Sequence, residues 1–138
     1  GVKKVRERLQ VLYDLGLGYL TLGEATPSLS GGEAQRLKIA SEMGKSQEDA
    51  VFIFDEPTIG LHPLDTRVLI QVFQKLIDHG ATVIVIEHDL DMIAAADYII
   101  DMGPGGGKSG GQIVAAGTPK EIAENRNSLT GQYLKSLV

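Results

Sequence analysis

Apolar residues recur along the chain with two different periods, and the switches between them mark out its elements. Over residues 2 to 15, Val2, Val5, Leu9 and Leu12 fall at helical spacing among Lys, Arg and Glu, and Gly16 and Gly18 end the run. In "SLSGGEAQRLKIASEM", Ser30 followed by Glu33 makes a capping box, which predicts a helix from about Gly31 that stops near Gly44. "VFIF" at 51 to 54 and "TVIVIE" at 82 to 87 are short continuous apolar runs, as strands buried on both faces require. Leu64, Val68, Val72, Phe73 and Leu76 return to helical spacing between them, with Gly80 as the stop signal. Strand, helix, strand in that order predicts a right-handed parallel crossover. A short helix at 90 to 96, strands at 98 to 101 and 112 to 115, a helix opened by Thr118, Pro119 and Glu121, and a last helix at 130 to 137 complete the pattern. The expected fold is α/β, a mostly parallel sheet flanked by helices, in a single domain over residues 1 to 138.

Composition narrows the chemistry. The chain has no cysteine and three histidines, which excludes disulfides and thiolate zinc sites within it, so any metal is expected to be held by oxygen. A net charge of -5 gives no general attraction for a polyanion, and a nucleic-acid contact by this segment would need a local basic patch. No apolar run approaches the roughly 20 residues that span a bilayer, and "GVKKVRERLQ" lacks the apolar core of a signal peptide. A cytoplasmic protein with no membrane association is expected.

The glycine run "GPGGGKSGG" at 103 to 111 invites comparison with a phosphate-binding loop. Such a loop needs Gly, four residues, then Gly-Lys-Ser/Thr between a strand and a helix. For Gly107, Lys108 and Ser109 the first position is Met102, and the strand pattern "GGQIVAAG" follows instead of a helix. For Gly44, Lys45 and Ser46 it is Ile39, and the tripeptide sits at a helix end, where the macrodipole is negative. The run at 103 to 111 is therefore expected to be a hairpin turn.

Three other stretches suit phosphate chemistry. "LSGGEAQR" places Ser30, Gly31 and Gly32 at a helix start, where uncovered N–H groups favour an anion, although Ser30 can equally serve as a simple cap. "VFIFDEPT" ends an apolar strand on Asp55 and Glu56, at the carboxyl end where parallel sheets place their ligands. One carboxylate can hold magnesium while its neighbour takes a proton from water, though paired acids also occur as solvated strand ends. "TVIVIEHDL" ends a second strand near His88, which would lie beside the carboxylates if the two strands are neighbours.

In this order the three stretches resemble the ATP-binding-cassette ATPases: "LSGGE" the signature loop, "VFIFDE" the Walker B strand and His88 the switch histidine. Within them, "SGGEAQRLKIASE", "DEPTIGLH", "VIVIEHDLD" and "ADYIIDMGPGGGKSGGQIVAAGTP" are most similar to the damage-recognition ATPases of bacterial nucleotide excision repair. The resemblance implies that Ser30, Gly31, Gly32 and Glu33 face the γ-phosphate of ATP held on an opposite ATPase half, with Ser30 and Gly32 in contact. It also implies that Asp55 assists Mg2+, Glu56 is the general base and His88 touches the γ-phosphate. Glu33 stands where the broader family has Gln, and His62 where it has the D-loop aspartate. For His62 a local loop contact and communication between paired ATP sites both remain open.

The implied partners are the other cassette half of the same protein, a second copy, damaged DNA and the subunit that is loaded onto it. Zinc is expected only in modules upstream of this chain. No Walker A sequence is present, so the isolated chain is expected to have negligible ATPase activity and either to leave an apolar sheet edge at 82 to 86, prone to self-association, or to rearrange. The alternatives are a transporter ATPase subunit and a catalytically silent interaction module.

Overall fold

A computed structural model describes residues 1–23, 25, 29–42, 49–105 and 110–138. They fall into two compact units, Gly1–Glu87 and His88–Val138. The expected stop at Gly44, the tripeptide at 44 to 46 and the whole of the Gly-Lys-Ser tripeptide at 107 to 109 lie outside the described residues.

The first unit opens with helix α1, Val2–Leu12, which widens into a π-type turn over Tyr13–Leu17. Gly16 adopts a left-handed φ of 71° there, a conformation that glycine takes without steric cost, and this bends the chain so that Leu15 and Leu17 are buried. α1 follows its predicted period yet contains no buried residue: Val2, Val5 and Leu9 remain exposed. Helix α2, Gly31–Glu42, begins where the capping box places it, with Glu33 N–H donating to Ser30 Oγ (3.3 Å) and Ser30 N–H to Glu33 Oε2 (2.6 Å).

Strand β1, Val51–Asp55, pairs in parallel with β2, Thr82–Ile86, with Phe54 opposite Val85 and Asp55 opposite Ile86. Helix α3, Pro63–Asp78, connects them. Its buried stripe is Thr66, Leu69, Val72, Phe73 and Leu76, and the Phe73 ring stacks on Phe54 at 4.8 Å. Leu64, at the first turn of α3, is exposed because the buried face begins only at Thr66.

The second unit starts with α4, Leu90–Ala94, capped by Asp89, whose Oδ1 accepts from Met92 N–H (3.0 Å). β3, Ile99–Gly103, and β4, Gln112–Gly117, run antiparallel with Gly103 opposite Gln112, so the glycine run joins a hairpin and is followed by a strand. Helices α5, Pro119–Glu124, and α6, Leu129–Leu134, close a core of Ile99, Ala115, Ile122, Ala123 and Leu134. The Thr118 backbone N–H, followed by its hydroxyl, holds the Glu121 carboxyl below its ordinary value, as a complete capping box does.

Candidate functional site

The apolar run of β1 ends on Asp55 and Glu56, both exposed at the carboxyl end of the parallel pair. The ladder continues one residue beyond β1, because Glu56 N–H donates to Ile86 C=O at 2.9 Å. Glu56 then takes a φ of 45°, a left-handed conformation that costs a residue with a side chain roughly 1–2 kcal/mol. Such strain persists only where neighbouring contacts enforce it. Glu56 C=O accepts from Ile59 N–H (3.1 Å), Thr58 C=O from Leu61 N–H (2.9 Å), and Pro57 between them is fully buried.

Three side chains from outside this turn grip it. Gln35 Nε2 donates to Asp55 C=O (2.8 Å) and Arg36 Nη1 to Pro57 C=O (3.3 Å), both from the second turn of α2. Glu87 Oε1 accepts from Thr58 N–H (2.8 Å) and from Thr58 Oγ1 (2.6 Å). Burial draws the Arg36 guanidinium down from its ordinary value, while the charges of Glu33 and Asp65 draw it back up. Arg36 stays a cation, since arginine does not give up its proton in proteins. Among the described residues, Gln35 Oε1 and Arg36 Nε are buried with no hydrogen-bond partner.

Ser30, Gly31, Gly32 and Glu33 stand together at the start of α2. A side chain at Gly32 would crowd Arg36 Nη1 and Ile59 C=O, both at 3.3 Å from the Cβ position, so glycine permits the close approach of this helix end to the turn after β1. Ser30 Oγ accepts the cap bond and retains its own proton as a donor. Glu33 is turned back along the helix end: besides its bond from Ser30 N–H, it accepts one from the Tyr19 hydroxyl. Its charge is thereby shared between two donors on the protein.

His62 lies outside this group. It is the N-cap of α3, with Nδ1 accepting from Leu64 N–H at 3.3 Å and Pro63 in the first turn. That is the local loop contact of the two readings. His88 is exposed and is the first residue of the second unit. Asp55 contributes at most two carboxylate oxygens to a cation, and no group of three or more His, Cys, Asp and Glu able to hold a metal occurs among the described residues. This fits magnesium, which commonly takes one or two carboxylates and completes its shell with phosphate oxygens and water. No described helix is long and apolar enough to cross a membrane.

Sequence reasoning missed Tyr19, Gln35, Arg36, Thr58 and Glu87. Glu87 carried one visible signal, a carboxylate directly after the apolar run of β2, but its partner is fixed by the register of two strands and cannot be read locally.

A parallel strand pair with α3 on one face, two carboxylates at its carboxyl end and a Ser-Gly-Gly helix start packed on the turn that follows them give the fold of part of an ATP-binding cassette. A solved ATP-binding cassette of an ABC transporter shares this fold, with a TM-score of 0.60 over 96% of this chain and 50% of that one at 24% identity. No family model matches the chain. UvrABC system protein A of Aquifex aeolicus is 56% identical over 132 residues, 95% of this chain, and that of Bacillus subtilis is 56% identical over 99% of it. The crystal structure of UvrA2 from Deinococcus radiodurans superposes with a TM-score of 0.87 at 47% identity, over 95% of this chain and 16% of that one. The chain belongs to the UvrABC system protein A family, as a segment spanning 14% of the length of these two curated relatives.

Proposed function

We propose that this segment is one partial cassette domain of a nucleotide-excision-repair ATPase, and that it supplies the hydrolytic carboxylates of one ATP site and the signature face of another. The supporting observation is the pair at the end of β1, where Glu56 is held in a left-handed turn directly after Asp55. Glu56 takes the proton of the attacking water, and Asp55 is the residue to hold magnesium. Magnesium, when bound, neutralises charge on the phosphate oxygens. Ser30 Oγ–H and the open N–H groups of Gly31 and Gly32 donate to the γ-phosphate of a nucleotide on the opposite half, and the positive end of α2 favours that anion. Glu33, tied to Tyr19 and to Ser30 N–H, is kept from offering a free negative charge to the same phosphate. His88 is the candidate contact from the switch position. In the intact protein this chemistry couples ATP binding and hydrolysis to dimer formation, engagement of damaged DNA and loading of the UvrB subunit.

No stretch of this sequence matches a phosphate-binding loop, so tight nucleotide binding needs a complementary half. Titration of ATP onto the chain alone, and onto the chain mixed with a Walker A half, tests this. The mixture is expected to bind at least about tenfold more tightly, a difference of about 1.4 kcal/mol. Equal affinity in the two titrations would contradict it.

A further inference from the structure

Glu56 carries the most strained backbone at the site, and what enforces it is unequally shared. Gln35 and Arg36 bind carbonyl groups on either side, which fixes where the turn lies. The Glu87 carboxylate does something different. It receives both the N–H and the hydroxyl of Thr58 on one oxygen, at 2.8 and 2.6 Å, in a partly buried position. Hydrogen bonds to an ionised acceptor are about twice as strong as neutral ones, and this one anchors the residue two positions after Glu56. Glu87 also directly follows Ile86, whose carbonyl accepts from Glu56 N–H. The peptide unit before Glu56 and Thr58, inside the turn that Ile59 N–H closes on Glu56 C=O, are thus both fastened to the same end of β2.

We propose that Glu87 is a positioning residue for the general base: by gripping Thr58, its carboxylate holds the left-handed turn that aims Glu56. This rests on the assignment of Glu56 as the base. Without the grip, the turn relaxes toward an ordinary φ at Glu56, and its carboxylate moves away from the attacking water. Misplacement of a reacting group by about 1 Å costs as much as a hundredfold in rate.

The test uses the intact protein, with kcat and KM for ATP and the thermal midpoint measured for each variant. Thr58→Val keeps the shape and removes the hydroxyl donor; Glu87→Ala removes the acceptor; Thr58→Ser retains the hydroxyl. Thr58→Val and Glu87→Ala are each expected to lower kcat by about tenfold with KM within about twofold, because an interaction that acts through the reacting geometry changes kcat. Thr58→Ser is expected to restore at least about half of the wild-type kcat. The double variant Thr58→Val with Glu87→Ala is expected to be no slower than the slower single variant, since both break one contact. A kcat within about twofold of wild type for both Thr58→Val and Glu87→Ala would overturn the proposal, as would independent, multiplicative losses in the double variant. A drop in thermal midpoint without a loss of kcat would assign the pair a purely structural role and also overturn it. Glu56→Gln, run alongside, separates the two claims. If it leaves turnover intact, the assignment of Glu56 fails; if it abolishes turnover while the other two variants keep theirs, only the role of Glu87 fails.

Discussion

Arg36 is 4% exposed, and a guanidinium so far out of water has to be matched by its surroundings. Its bond to Pro57 C=O and the nearby charges of Glu33 and Asp65 supply part of the match, and Nε is left without a hydrogen-bond partner. Removing it leaves a cavity beside α2 and a buried carbonyl without its donor. Arg36→Ala is therefore expected to destabilise the first unit by about 2–4 kcal/mol, read from the urea midpoint, with little recovery in Arg36→Lys because lysine lacks the planar fork. A loss below about 0.5 kcal/mol would mean that the guanidinium does not hold the turn. At this scale the sequence was informative where chemistry is local. Ser30 with Glu33, and Asp55 with Glu56, are near neighbours in the chain, and their types and order suffice to locate them. Thr58 and Glu87 are 29 positions apart, and their meeting depends on which strands pair and in what register.

Elements were legible wherever a period coincided with a stop signal. α3 and β2 begin and end within about two residues of their expected limits, and the capping boxes of α2 and α5 both form. α1 shows what periodicity leaves open: an apolar stripe states that a face can be buried and not that it is, and Val2, Val5 and Leu9 stay in solvent. The approach of α6 to α5 was likewise invisible. Gly131 carries no local turn signal, yet a Cβ there would lie 2.0 Å from Ile122 C=O. Glycine at this position lets the first turn of α6, capped by Ser128, pass against the backbone of α5. Gly131→Ala is expected to force the helices apart and to cost the second unit about 3 kcal/mol in urea unfolding. An unchanged midpoint would show that the close approach contributes nothing to stability.

At the scale of the whole molecule, one face of the parallel pair packs on α3 while the other, with Val51, Ile53, Ile84 and Ile86, is exposed. Parallel sheets are ordinarily covered on both faces, and among the described residues β2 pairs with β1 alone. Among the described residues β2 thus has an open edge beside an exposed apolar face. Both agree with a chain that matches half of a solved cassette and 14% of its curated relatives. The site has the same partial character. It sets a Ser-Gly-Gly helix start beside the turn that follows two carboxylates, and its sequence holds no loop to cradle phosphates. In the proposed function Glu56 does the proton transfer of ATP hydrolysis in the assembled protein. ATP turnover and ATP affinity measured side by side on intact Glu56→Gln protein test it most directly. The predicted result is a loss of at least about a hundredfold in turnover with affinity within about twofold of wild type, because a general base acts on the reacting water and contributes little to nucleotide binding. Turnover within about threefold of wild type would contradict it.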